Sequence, residues 1–289
     1  MSYQIFTDVT SDLDEEILAR FPELHMIPMN VNLGGQDYLY GPGGNLNIQD
    51  FYAEQRNGKY ASTSQITPFA FHEQFEPVLD GGEDVLYLCF SSGLSNTYST
   101  AKLTAEELSE SYPDRKIIVV DTLCAAVGEG FIVLEAMKRY REGAGIEELA
   151  AWVLERQQKV CHWFTVDTLD HLYHGGRVSK ASATVGTLLN IKPLLHVDAE
   201  GKLEVTAKPR GRKQAMKLQL DKMKQGLRRD LGNLVVIGHG DCRDVAEDMK
   251  TSVLEIFPEA EVEIAYIGPV IGAHTGPGML ALIFWGDVR

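Results

Sequence analysis

Apolar and polar positions along this chain follow two different patterns. In the first half, short apolar runs end in a polar turn and pass into segments whose apolar residues recur every three to four positions. Residues 3–7 read as a strand, and Asp12-Leu13-Asp14-Glu15 resembles a capping box that opens a helix ending near Arg20. The run 84–90 (DVLYLCF) is almost continuously apolar, as a strand covered on both faces should be. Ser91-Ser92-Gly93-Leu94-Ser95 follows it, and then a helical pattern as far as about Ser111. Residues 116–121 repeat the theme ahead of a long helix over 126–140, and an amphipathic stretch over 146–159 closes this half. Strand, turn, helix, strand is the pattern of right-handed crossovers in a parallel sheet.

The segment 32–60 interrupts that order with LGG, GPGG and NG turn signals, and reads as loops with short strands and one helix. After about residue 159 the pattern changes. A strand ending at 165–167, a helix over 179–189 and the strands 192–197 and 203–207 are expected, the last two joined by the hairpin turn Asp198-Ala199-Glu200-Gly201. A helix over 213–227, a strand over 234–238, a helix over 245–256 and strands near Val262 and Leu280 complete the chain. The expected fold class is therefore α/β in two domains. One is an N-terminal parallel-sheet αβα domain over 1–158 with a small irregular insert at 32–60. The other is a C-terminal mixed α+β domain over 159–289.

Length agrees with that division, because 289 residues is where a single core usually splits. The hydrophobic fraction of 44% and the charged fraction of 24% belong to an ordinary globular protein. No apolar run approaches the roughly 20 residues that span a bilayer. The start MSYQIFTDVTSD lacks the basic flank and apolar core of a signal peptide, and the four cysteines are scattered without metal-ligand spacing. A cytoplasmic location with reduced thiols is the expectation. The net charge of −14 argues against nucleic acid, and allows at most transient contact with an anionic membrane. One basic cluster stands out against that acidity, Lys208, Arg210, Arg212 and Lys213 within KPRGRK, a solvated surface or a docking site for an anionic partner.

Several polar groups sit where chemistry is possible. In 267–278 (IGPVIGAHTGPG), four glycines and two prolines frame His274 and Thr275, which reads as a tight loop able to grip one small polar group. Strands end in Thr7-Asp8, Val120-Asp121-Thr122 and Val166-Asp167-Thr168, at the sheet edge where ligands gather, although capping of the next helix is the preferred reading. Thr63-Ser64-Gln65 precedes a helix begun by Pro68. Ser95 lies in a turn at a helix N-terminus, a geometry that favours an anion. Neither a P-loop nor a nucleophile-elbow spacing is present. Ser95 with His274 as nucleophile and base, with Asp8, Asp121 or Asp167 orienting, defines an alternative reading as a hydrolase or acyltransferase on acyl substrates. His162, His171, His174 and His239 have no recognised metal spacing and read as core or surface residues.

Taken in order, TDVTSDL (7–13), TSQ (63–65), SSGLSNTY (91–98), VVDT (119–122), FTVDTLDHLYHGGRVSKA (164–181), LLNIKPLL (188–195), RGRK (210–213) and IGPVIGAHTGPG (267–278) resemble the DegV family of fatty-acid-binding proteins over almost the full length. Two departures are Ile66 where the family usually has proline and Asn96 where it has glycine; neither removes a hydroxyl. The resemblance implies a lipid-binding protein rather than an enzyme, with a long-chain fatty acid as bound ligand and no cofactor or metal. Its carboxylate would be held by Thr63, Ser95, His274 and Thr275, and its tail would lie in an apolar tunnel largely in the second domain. The resemblance further implies that the acid is presented to a separate fatty acid kinase for entry into phospholipid synthesis, with Arg177 and Arg210 as candidates for docking that partner.

Overall fold

The computed structural model describes residues 2–180, 190–287 and 289. The first sheet runs β2-β1-β6-β7 and is parallel throughout, with β1 Tyr3–Asp8, β2 Leu24–Ile27, β6 Asp84–Cys89 and β7 Ile117–Asp121. Every residue of β6 is buried, as its unbroken apolar run requires. Helix α1 (Glu15–Arg20) forms close to the expected place but opens two residues later than the capping-box reading implies. Asp14 and not Asp12 is its N-cap, with Oδ1 accepting the Ile17 N–H.

The irregular insert forms a small sheet of its own. Strands β3 (Met29–Leu33), β4 (Gln36–Tyr40) and β5 (Ala61–Thr63) pair antiparallel in the order β4-β3-β5, and helix α2 (Ile48–Arg56) crosses between β4 and β5. Two tyrosines and a leucine on β4 stand only partly buried, which is why this segment has weak apolar periodicity. Helices α3 (Pro68–Asp80) and α4 (Thr97–Ser111) pack against each other and flank the first sheet. Helices α5 (Val127–Arg141) and α6 (Ile146–Arg156) lead out of it.

At β8 (Val160–Thr165) the chain enters a second, mixed sheet of order β10-β9-β8-β13-β11-β12. Its other strands are β9 (Leu194–Val197), β10 (Leu203–Ala207), β11 (Leu234–His239), β12 (Glu261–Tyr266) and β13 (Leu280–Trp285). Only β11 and β12 run parallel. The β9–β10 hairpin turns as expected, with Asp198 Oδ1 accepting N–H groups of Glu200 and Lys202. Short helix α7 (Asp170–His174) follows β8, and α8 (Arg212–Gly226) and α9 (Arg243–Ile256) cover one face of the sheet. From residue 181 onward, the helix expected over 179–189 lies outside the described residues.

Helix α5 joins the two sheets. It comes from the first half of the chain yet packs on β8, β11 and β13. Its Phe131, Ile132 and Val133 share one apolar cluster with Ile5 and Leu86 of the first sheet and Val236 and Ile283 of the second. Each such buried side chain contributes about 1.5–3 kcal/mol.

Two sequence readings need correction here. The glycine- and proline-rich segment is a helix, α10 (Pro269–Thr275), rather than a tight loop. Proline fits the first helical turn, where its missing N–H is not needed, and Gly276 at φ 71 ends the helix in a conformation that glycine tolerates best. Of the three acidic strand ends, only Asp8 caps, by accepting the Thr10 N–H of a 3-10 turn. Asp121 accepts N–H groups of Ser92 and Leu123, while Asp167 forms ion pairs with Lys192 and Arg212.

Asp8 and Glu129 are both fully buried, with one Thr10 hydroxyl between them. The Thr10 Oγ1 lies against Asp8 Oδ1 and 2.8 Å from Glu129 Oε2. A hydroxyl carries one proton, so one carboxyl group must itself donate. Asp8 already receives the Thr10 N–H and, at 2.5 Å, the Tyr87 hydroxyl, whereas Glu129 receives only the Thr7 hydroxyl at 3.2 Å. The extra proton therefore belongs on Glu129. Burial, and then the charge of Asp8, raise its pKa well above the ordinary carboxylate value. A raised acid contributes stability that is full below the unfolded-state value and is lost as pH climbs through the folded-state value. Denaturant titrations across a pH series should show the wild type losing about 1.4 kcal/mol per pH unit in that window for each such group. Glu129→Gln, which keeps a donor, should fold and show a shallower decline; an unchanged slope would rule out the protonated acid.

Candidate functional site

Between the two sheets lies a cavity of about 500 Å³. That volume falls within the roughly 300–1,000 Å³ typical of pockets that enclose small ligands. Its polar end is built by residues distant in sequence. Strand β5 ends at Thr63, and the insert sheet fixes that residue by pairing it with Val31. Helix α10 supplies His274 and Thr275, and the turn before α4 supplies Ser95, Asn96 and Thr97. The apolar walls come from both halves: Phe90 and Ala125 from the first, Phe164, Val197, Ala281 and Ile283 from the second.

Thr63 Oγ1 lies 2.8 Å from His274 Nε2. The other ring nitrogen, Nδ1, is buried without a partner among the described residues. It faces Gly175, where even a methyl group would come within 2.0 Å of it. A buried N–H without an acceptor is rarer and costlier than a bare lone pair. The proton therefore belongs on Nε2, donated to Thr63 Oγ1, and the Thr63 hydroxyl is left with its own proton to offer into the cavity. Burial first, then the positive charge of Arg177, lower the His274 pKa to about 4. Near neutral pH this imidazole is uncharged.

Close packing holds His274 in place. Gly272 lies against the Phe51 and Tyr52 rings, and a side chain there would come within 2.8 Å of both. Tyr52 donates to the Ile267 carbonyl and Gln55 to the Gly272 carbonyl, so α2 of the insert clamps α10 from outside. On the inner side, Asp12 Oδ1 accepts the Gly268 N–H at 2.8 Å. The glycines thus serve close approach by neighbouring elements.

Ser95 Oγ lies 2.9 Å from Thr97 Oγ1 and accepts the Thr97 N–H at 3.2 Å, at the N-terminus of α4. Asn96 makes no side-chain cap there, so N–H groups of that turn remain available. The Ser95–His274 pair weighed as nucleophile and base is not formed: Ser95 bonds within its own turn, and His274 Nε2 bonds Thr63. Thr275 lines the cavity, with its hydroxyl donating to the Ile271 carbonyl. Arg177 also lines the cavity, bonded to the Gly175 carbonyl, and burial lowers its pKa. Arg210 is exposed and is not part of the cavity wall. Its neighbour Arg212 reaches Asp167 and the Gly278 carbonyl, so this part of the basic cluster is bonded rather than simply solvated.

Sequence reasoning read His162 as a core or surface residue. It lines the cavity together with apolar residues such as Phe164, Val197 and Ile283. On β8 the side chains alternate between clusters, with Val160 and Phe164 on one side and Cys161 and Trp163 on the other. A period-two reading would have marked His162 as the polar exception on its face. Among the described residues, no group of three or more histidine, cysteine or acidic side chains is placed to hold a metal ion. No described helix is long and apolar enough to cross a membrane.

Comparison with known proteins adds to this geometry. The DegV family model matches residues 2–287. A DegV domain-containing protein of Clostridium perfringens is 39% identical over 99% of this chain and 98% of its own length. Among solved structures, a fatty-acid-binding DegV family protein from Thermus thermophilus superposes with a TM-score of 0.86 at 30% identity, covering 99% of this chain and 100% of that one. The Streptococcus pneumoniae Fatty Acid Kinase (Fak) B3 protein, loaded with linoleic acid, has the same fold with a TM-score of 0.86 at 22% identity, covering 99% of each chain. With the match running from residue 2 to residue 287, the chain belongs to the DegV family.

Proposed function

We propose that this protein is a cytoplasmic carrier that holds a long-chain fatty acid and presents it to a separate fatty acid kinase. The observation that carries the reading is a single cavity with apolar walls and a mouth of uncharged hydroxyls, Thr63 and Ser95 among them. A fatty acid has that same division of chemistry. Each methylene removed from water contributes roughly 0.8 kcal/mol, so a tail of about 15 methylenes supplies on the order of 10 kcal/mol before ordering costs. The carboxylate needs only enough donors to avoid being stranded. In this reading Thr63 and Ser95 donate to it directly, Thr275 walls the head group, and His274 orients Thr63.

The kinase step is proposed on the same chemistry. Neutral donors grip a carboxylate oxygen less tightly than an arginine fork, which leaves it free to attack a phosphoryl group. Arg210, exposed on the surface, and Arg177, beside the head group, are the proposed contacts for that partner. Each offers a fixed positive charge to an acidic surface.

Mass spectrometry of the protein purified from its source should release one long-chain fatty acid per chain. A protein that neither carries nor takes up such an acid contradicts the assignment. The head-group grip can be dissected by measuring acid affinity in variants. Thr63→Ala and Ser95→Ala should each weaken binding roughly ten- to a hundredfold, the effect of losing a hydrogen bond to a charged group. His274→Ala should also weaken it, but Thr63→Ala/His274→Ala should bind no worse than Thr63→Ala alone. Losses that multiply would show that His274 acts on the ligand independently of Thr63.

A further inference from the structure

We propose that the rim of the cavity mouth is a docking surface for the phosphorylating partner, built on Phe69 and Leu103. It fits a protein face that is apolar at its centre and basic around it. This rests on the kinase reading above and names the surface that reading requires. Among the described residues, the large apolar or aromatic side chains left exposed are Tyr60, Phe69, Leu103, Leu154 and Tyr173. All but Leu154 belong to segments that carry or hold the head-group residues. Tyr60 lies three residues before Thr63 and Phe69 six after it, while Leu103 stands on α4, eight residues past Ser95. Tyr173 comes two residues before Gly175, which abuts the His274 ring. At a helical rise of about 1.5 Å per residue, Leu103 is roughly 12 Å along α4 from the Ser95 turn.

Phe69 and Leu103 are the most open of these, at 70% and 67% exposed. Two contacts set α3 and α4 side by side: Gln65 Nε2 donates to Thr100 Oγ1 at 2.9 Å, and His72 Nε2 lies 3.7 Å from Glu107 Oε2. Phe69 is three residues before His72 and Leu103 four before Glu107, spacings that keep each on the same helix face as the residue making the contact. The two apolar side chains therefore stand together on adjoining helices, next to the mouth. Exposed apolar groups gathered in this way mark an interaction surface. Charge selects the occupant. Lys102 is the one lysine or arginine in the two helices, against Glu73, Glu76, Asp80, Glu106, Glu107 and Glu110. That face repels an anionic bilayer and attracts a basic protein surface. Arg177, on the cavity wall just past α7, has the opposite sign, so a partner that spans the mouth is oriented by unlike charges at its two ends.

The test is the affinity of the full-length protein, loaded with oleate, for the purified fatty acid kinase of its source organism. It is measured for the wild type, for Phe69→Ser/Leu103→Ser and for Glu106→Lys/Glu110→Lys. The serine pair should lose about tenfold or more, the scale of removing an aromatic anchor from an interface. The lysine pair should bind more weakly at low salt, with a shallower dependence on salt. Oleate affinity should stay at the wild-type value in both, because these side chains are exposed and lie outside the cavity wall. Kinase affinity that survives either pair overturns the inference and leaves the kinase reading in place. The lysine pair decides the point should the serine pair fail to fold. A wild type that binds no such kinase removes both, while the fatty-acid reading keeps its own test by mass spectrometry. Two other results also overturn the inference. One is a self-associating wild type that the serine pair renders monomeric, which would put a second copy on this face. The other is flotation with phosphatidylglycerol vesicles that the serine pair abolishes, which would put a membrane there.

Discussion

The contact between Thr63 and His274 spans 211 residues of sequence, and the surrounding architecture holds it to 2.8 Å. One partner ends a short strand of the insert; the other rides on a helix of under two turns in the second half of the chain. Neither element is stable alone, since a three-residue strand and a seven-residue helix gain too little from their own hydrogen bonds. Each is held by what packs on it: β5 by β3, and α10 by Tyr52, Gln55 and Asp12. The polar mouth is thus a tertiary product. Both halves of the chain must be in place before a donor pair exists, and the cavity they enclose forms with it.

Beneath that seam the protein tolerates a costly arrangement. Asp8, Asp12 and Glu129 are buried close to one another, and among the described residues no cation forms an ion pair with Asp8 or Glu129. Hydroxyls, backbone N–H groups and a retained proton carry the load instead. Thr10 itself lines the cavity, so the hydrogen-bond network that binds the first sheet to α5 also forms part of the binding surface.

Much of the fold was legible because it rests on local rules. The unbroken run 84–90 announced a strand covered on both faces, the acidic turn 12–15 announced α1 though not its cap residue, and Asp198 to Gly201 announced a hairpin. The segment 267–278 was misread for a physical reason. Its four glycines look like loop residues, but they are required by the rings and carboxyl groups pressed against them, and nothing within the segment states which neighbours those are. The insert was hard to read for a related reason, because β4 has neither a clean period nor a buried face. In the site, the hydroxyl turns at Thr63 and Ser95 were recognisable as types of chemistry. Their meeting with His274 was not, since geometry across 211 residues is invisible to spacing.

Under the proposed fatty-acid reading, the division of labour within the cavity would let a carrier hold its ligand firmly and still give it up. Hydrocarbon burial is large and indifferent to direction, so the tail can supply most of the affinity wherever the chain lies along the wall. The head end need contribute little beyond orientation, and burial that lowers the His274 pKa to about 4 favours its uncharged imidazole near neutral pH. Had His274 been cationic, its attraction would have been spent on the same oxygen that must react. With Nε2–H committed to Thr63, the histidine instead sets the direction of one hydroxyl. In the proposed reading the carboxylate is located chiefly by neutral donors, while the Arg177 guanidinium also stands on the cavity wall.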